Sequence, residues 1–286
     1  MFTDLLIILA AVLLAPVAGG LLAGLDRRVT ARLQSRVGPP ILQPFHDLFK
    51  LLGKDAVHSG SWQAACAFLY MAAAAASVAL LFLGGDLLVL FFVQAAGAAF
   101  LVMGAMAAAS PYSQVGAQRE LLQLLAYEPL LILVFVGLFL ATGNFRVDAV
   151  FGLDAPLLLD APLLFLALGF ALTIKLRKSP LDLSTSHHGH QELVKGLLTD
   201  YSGPYLALTE LGHWYETVLL LGVAALFWHT DALGMLLLLV LTYAAEVLVD
   251  NVSARLTWRW MLGRAWLLGL GLAVANILWL AAGGPA

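Results

Sequence analysis

Residues 5–54 read LLIILAAVLLAPVAGGLLAGLDRRVTARLQSRVGPPILQPFHDLFKLLGK. The opening run, Leu5–Leu25, carries no charge. As a helix rising 1.5 Å per residue it is long enough to cross a hydrocarbon core of about 30 Å. Arg27, Arg28, Arg32 and Arg36 follow at once, and Gly38-Pro39-Pro40 then breaks the chain. Beyond the break, Phe45, Leu48, Phe49, Leu51 and Leu52 share an apolar face, with Asp47, Lys50 and Lys54 as polar residues. That pattern predicts an amphipathic helix lying at a membrane interface. Asp4 precedes the first span and the basic residues follow it. This is the reverse of a signal peptide and predicts an uncleaved anchor with its N-terminus outside. A basic loop of this kind has two uses: it anchors on anionic lipid, or it is a docking platform for a cytoplasmic assembly.

The rest of the chain repeats the theme. Of its 286 residues, 62% are hydrophobic and 12% charged, against roughly 45–50% and 25% in soluble domains. The predicted fold class is an all-α polytopic membrane protein forming a single integral membrane domain, residues 1–286. Eight apolar runs are candidate spans: Leu5–Leu25, Trp62–Leu83, Leu87–Ala109, Leu121–Ala141, Leu157–Ile174, Tyr205–Trp228, Ala232–Val249 and Trp266–Ala282. Continuous runs of this length exclude an outer-membrane barrel, whose strands alternate over about ten residues. The odd-numbered loops between these spans hold fourteen Lys and Arg and the even-numbered loops one, Arg146. Odd loops are therefore expected in the cytoplasm and both termini outside. One cysteine, Cys66, excludes a disulfide framework, a thiolate metal site and an iron–sulfur cluster within this chain. A net charge of −3 argues against nucleic acid as a partner. No internal repeat supports the architecture of many free-standing transporters.

Ionisable residues inside spans cost about 2.5–3.5 kcal/mol each on insertion scales and call for a reason. Glu128 lies within the fourth span beside Pro129, which removes the helical partner of the Leu125 carbonyl. Glu120, Gln123 and Tyr127 lie on a neighbouring face. The sixth span carries Thr209, Glu210, His213, Glu216 and Thr217 within an arc of about 120°. Two carboxyls bracket an imidazole there, and each group can lend or take a proton. The seventh carries Thr242, Glu246 and Asp250 four apart on one face. For each set two readings stand: a proton path, or ordinary ion pairing and bonding to a neighbouring helix or subunit.

The loop over 175–204, KLRKSPLDLSTSHHGHQELVKGLLTDYSGP, gathers Asp182, His187, His188, His190, Glu192, Lys195 and Asp200. Pro180 predicts an extended entry. The three histidines lack an evident fourth ligand, so no metal is assigned and contact with a protein partner is expected.

Both cytoplasmic loops carry a resemblance. ARLQSRVGPPILQPFHDLFKLLGK resembles the first cytoplasmic segment of the membrane subunit shared by respiratory complex I and the energy-converting nickel–iron hydrogenases, through Arg32, Gln34, Arg36, Gly38, Pro39, Gln43, Asp47 and Lys50. SPLDLSTSHHGHQELVKGLLTDYSG is similar to that family's second loop motif at Pro180, Asp182, Leu183, Glu192, Leu193, Tyr201, Ser202 and Gly203, with Asp200 where Glu is usual. Tyr127, Glu128 and Pro129 resemble its intramembrane acidic site, and Ala254-Arg255-Leu256 the segment after its seventh span. In place of the acidic run of the complex I form stands Ser-Thr-Ser-His-His-Gly-His, which resembles the hydrogenase branch (Ech-type, carbon-monoxide-linked and formate-hydrogenlyase-like). Lys175 stands where quinone-reactive relatives carry an acid.

The resemblance implies a multi-pass subunit of a prokaryotic cytoplasmic membrane, itself non-catalytic and without cofactor. It implies a nickel–iron large subunit, an iron–sulfur small subunit, a ferredoxin-like iron–sulfur protein and an antiporter-like membrane subunit as partners. The expected coupling residues are Glu128, Glu210, His213, Glu216, Glu246 and Asp250. The expected loop contacts are Asp182, His187, His188, His190, Glu192, Asp200, Arg32, Arg36, Asp47 and Lys50. The rivals are a quinone-reactive complex I-like subunit and a free-standing ion transporter.

Overall fold

The computed structural model describes residues 2–57, 60–184 and 195–283. Most of these are helical, with no strand among the described residues. Seven helical segments are long and apolar enough to cross a membrane. They are α1 (Phe2–Leu33), α3 (Ser61–Phe82), α4 (Leu87–Met106), α5 (Pro111–Thr142), α9 (Gly203–Ala225, with a 3-10 turn to Trp228), α10 (Ala232–Val252) and the segment Trp258–Ala281. The last comprises α11 (Trp258–Arg264), a π turn (Ala265–Leu270) and α12 (Gly271–Ala281). The shorter helices are α2 (Gln43–Leu52), α6 (Val147–Val150), α7 (Leu157–Asp160) and α8 (Pro162–Lys175). Two compact units form: Met1–Ala79 with Val93–Leu122 and Asp182–Val218, and Leu80–Phe92 with Gln123–Leu181 and Leu219–Ala286.

In the first unit, α1 continues well past the apolar run and carries the arginines outward on helix. It ends with Ser35 left-handed at φ +57°; the Arg36 and Ser35 N–H groups donate to the carbonyls of Ala31 and Arg32, the bond pattern of a Schellman stop. The chain then doubles back along the same helix. A β-carbon on Gly38 would lie 2.9 Å from Arg28 Cα, and one on Gly24 only 1.8 Å from the Ile41 carbonyl oxygen. The glycine–proline break is therefore a strap, and Gly24 is the position where only a hydrogen fits. Gly24→Ala is expected to lift the strap, lowering stability by about 1–3 kcal/mol, and to speed trypsin cleavage at Arg36. Unchanged cleavage would refute the packing argument.

The amphipathic helix forms as expected, but its apolar face is turned into the protein. Phe45 and Leu48 of α2 pack on Ala207, Leu211 and Trp214 of α9, with the Phe45 and Trp214 rings 5.2 Å apart edge to face. Phe49 and Leu52 stay exposed.

In the second unit the expected fifth span, Leu157–Ile174, is broken. The residue before a proline disfavours the helical region, and Ala161, at φ −127°, separates one-turn α7 from the 14-residue α8. By itself α8 spans about 21 Å, less than the hydrocarbon core. Asn276 of α12, fully buried, closes the break. Its Oδ1 accepts the Leu163 and Leu164 N–H groups at 2.9 and 3.2 Å, and its amide donates to the Asp160 carbonyl at 3.1 Å.

Candidate functional site

The candidate groups fall into two sets, one in each unit. In the first unit, α9 starts at Gly203, whose φ of +50° suits glycine and where a β-carbon would lie 2.6 Å from the Asp55 carbonyl oxygen. The Ser202 hydroxyl donates to the Val57 carbonyl at 2.6 Å. The Tyr201 hydroxyl donates to the Leu101 carbonyl at 3.2 Å. Burial, with the neighbouring Cys66 thiol, pushes the ionisation of Tyr201 up, so it stays a neutral donor. The Tyr-Ser-Gly run of the second loop motif thus clamps that loop to the end of the first loop and to α4.

Along α9, the Thr209 and Thr217 hydroxyls donate to the Leu206 and His213 carbonyls of their own helix. The acid–base groups are left to face other partners. Glu216 is 3% exposed. One carboxylate oxygen accepts the Gln94 amide of α4 at 2.5 Å, and the other lies 3.8 Å from His213 Nδ1. The structure therefore joins His213 and Glu216, while Glu210 stands half-buried one turn away. Gln94 carries no signal in the sequence: it is a single amide in an apolar run, 122 residues from Glu216.

The second loop leaves and re-enters the described residues at one place. The Ser184 hydroxyl donates to the buried carboxylate of Glu120 on α5. The Leu197 N–H reaches the Ser184 carbonyl at 3.4 Å. One turn before Glu120, Gly116 lets the Leu197 backbone approach, since a β-carbon there would sit 2.2 Å from its nitrogen. Asp182 is buried and Asp200 half-buried. His187, His188, His190 and Glu192 lie outside the described residues. In the first loop, Asp47 is engaged within the chain, by Arg27 at 2.9 Å and Gln43 at 2.8 Å. Partial burial raises its pKa, but the hydrogen bonds from Gln43 and Arg27 and the charges of Arg27 and Lys50 outweigh that and hold it below the usual carboxylate range. Arg32, Arg36 and Lys50 are exposed.

The second unit brings charged groups together from the middle of α5 and the C-terminal ends of α8 and α10. Pro129 does free the Leu125 carbonyl, and the indole N–H of Trp266, in the π turn, donates to it at 3.3 Å. Beside Pro129, Glu128 is half-buried. The Lys175 ammonium, 6% exposed, stands 5.0 Å over the Tyr127 ring, and its charge reaches Glu128. Lys178, equally buried, lies 3.4 Å from Asp250. The other Asp250 oxygen accepts the Ser179 N–H at 2.8 Å. Glu246, one turn earlier on α10, is buried and bonded to the Thr173 hydroxyl of α8. The Gln123 amide donates to the Leu181 carbonyl at 2.8 Å. Sequence reasoning does not single out Thr173 or Lys178; a basic residue at a span's end reads as a topology signal until its burial is seen. No three His, Cys, Asp or Glu side chains converge on a metal position among the described residues.

Spanning helices that bury carboxyls against amide, imidazole and ammonium partners, with a strapped basic loop, define a polytopic membrane protein with polar groups organised inside it. Comparison with known proteins gives the family. The NADH dehydrogenase family model matches residues 4–281, and the chain belongs to that family. It is 33% identical over 305 residues to a subunit of the NADH-quinone oxidoreductase of Cereibacter sphaeroides, covering 93% of each chain. It is 29% identical over 288 residues to hydrogenase-4 component C of Escherichia coli, covering 91% of this chain and 90% of that one. Formate hydrogenlyase subunit 4 of Escherichia coli matches at 29% over 67% of each. A solved chain from the membrane-bound sulfane sulfur reductase, an archaeal respiratory membrane complex, has the same fold, with a TM-score of 0.84 over 97% of this chain and 99% of that one at 22% identity. The resemblance read from the two loops is thus confirmed at the level of the family.

Proposed function

We propose that this chain is the membrane anchor and ion-coupling subunit of a membrane-bound nickel–iron hydrogenase complex, moving H+ or Na+ as electrons pass between a ferredoxin-like donor and protons. The observation that carries this reading is the burial of acid–base pairs inside spanning helices: His213 with Glu216 and Gln94, and Glu246 beside Lys178 and Asp250. Groups that costly in a bilayer are expected where charge must move. The histidine-bearing second loop and the relatives named as hydrogenase-4 and formate hydrogenlyase components favour the hydrogenase branch. The odd-numbered loops face the cytoplasm, where the basic first loop and the histidine-bearing loop over 175–204 receive an iron–sulfur small subunit and a nickel–iron large subunit. An antiporter-like subunit lies beside the chain in the membrane.

The mechanism is electrostatic. Redox change in the peripheral arm alters charge at the second loop, whose Asp182 and Asp200 then bias protonation of Glu210, His213, Glu216, Glu128 and Glu246. In Glu128→Gln and Glu210→Gln, H2-linked ion translocation is expected to fall at least about tenfold, below the usual scale for losing one acid–base group, with partner subunits still co-purifying. Unchanged translocation in both would sink the mechanism. A second reading, a quinone-reactive subunit of a complex I-like enzyme, is favoured by the relative that belongs to an NADH-quinone oxidoreductase. Iron without nickel in the purified complex, with turnover blocked by a quinone analogue, would establish it instead.

A further inference from the structure

The two carboxyls near the end of α10 are dressed differently. Asp250 accepts the Ser179 N–H at 2.8 Å and faces the Lys178 ammonium at 3.4 Å. Two donors are what a carboxylate takes. Glu246 is 6% exposed, and its Oε2 is buried without a hydrogen-bond partner. Its hydrogen bond is with the Thr173 hydroxyl, and the charged groups acting on it are Lys178 and Asp250, which already face each other. The Thr173 hydroxyl donates to the Gly169 carbonyl at 2.9 Å. A threonine hydroxyl has one proton and two acceptor positions. With that proton given to Gly169, the bond between Thr173 and Glu246 must take its proton from the carboxyl. An unpartnered oxygen is also far less costly on a neutral acid than on a buried carboxylate.

We infer that Glu246 is a protonated carboxylic acid in the resting chain, and that Thr173 is the positioning residue that permits its proton to leave. On release the Glu246 O–H bond breaks and the proton passes to a water molecule or a neighbouring carboxylate. The Thr173 hydroxyl turns from Gly169 to Glu246 and donates to the new carboxylate, while its own proton stays on threonine. The Lys178 ammonium faces Asp250 at 3.4 Å, so its charge is shared between the two carboxyls. The role in ion movement rests on the coupling function proposed above; the protonation state does not.

The test is difference infrared spectroscopy of the whole purified complex through a pH step, paired with H2-linked ion translocation in proteoliposomes. A carboxylic-acid carbonyl band is expected in the parent and absent from Glu246→Gln. Thr173→Val is expected to shift that band and cut translocation at least about tenfold, and Thr173→Ser to restore both, which a purely structural loss of packing would not produce. If Glu246→Gln does not assemble, the threonine pair decides alone. A band unaffected by Glu246→Gln, or by Thr173→Val, overturns the inference. Normal translocation in Glu246→Gln overturns the relay role. A complex without nickel or H2 activity, with the band still lost in Glu246→Gln, sinks the hydrogenase reading and upholds the assignment of Glu246.

Discussion

Asn276→Leu is expected to lower stability by at least about 3 kcal/mol. The side chain is buried and serves three backbone groups at the break between α7 and α8: two N–H groups and one carbonyl. Leucine fills similar space but leaves all three unpaired, at about 1–3 kcal/mol each. In an apolar membrane interior water does not stand in for the lost partners. Asn276→Asp is expected to lose less, because as a neutral acid the side chain keeps a carbonyl acceptor for Leu163 and Leu164 and an O–H that can donate to the Asp160 carbonyl. Thermal unfolding of the detergent-solubilised complex gives the ranking: parent, then Asp, then Leu. Equal transitions for Leu and parent would show that the break is satisfied in another way.

Asp250→Ala is the second. It removes the carboxylate that faces the Lys178 ammonium, whose side chain is 7% exposed, and the acceptor of the Ser179 N–H. Removing one partner of a buried ion pair costs about 3–5 kcal/mol. The Asp250 side chain is itself 26% exposed, so the lower end, about 3 kcal/mol, is expected. The double variant Asp250→Ala with Lys178→Met is expected to recover most of the loss, because the buried ammonium is removed together with the carboxylate that faced it. A double-mutant cycle on unfolding midpoints measures this. Additive losses would show that the two side chains do not act as a pair. The Ser179 hydroxyl to the Ser253 carbonyl and the Leu256 N–H to the Pro180 carbonyl hold the same two segments together, which sets a limit on how far the region can open.

Much of the site was legible as residues and little of it as pairs. Glu128, Glu216, Glu246 and Asp250 declare themselves because charge in an apolar run is costly. Their partners do not. Gln94 and Thr173 are uncharged, and Lys175 and Lys178 sit where a positive residue ordinarily marks the cytoplasmic side. The sixth-span stripe has the spacing of a five-residue path. Its two threonines turn back onto their own helix, and that choice between local and tertiary acceptors is not encoded in spacing.

The sequence by itself determined the class of fold, the approximate positions of the spans, the amphipathic helix and the family. Apolar length, charge placement and loop motifs are one-dimensional properties, and the bilayer selects on the first two directly. Only the tertiary structure decided three other things. The fifth apolar run is interrupted because a proline near its start found Asn276 to close the gap. The carbonyl freed by Pro129 is taken by Trp266, from 141 residues away. The glycine–proline break in the first loop turns the chain back along α1, because Gly24 and Gly38 have no side chain to hold it off. In each case a backbone group or a hydrogen atom waits for a partner distant in sequence. No local pattern names that partner, because it is chosen by packing.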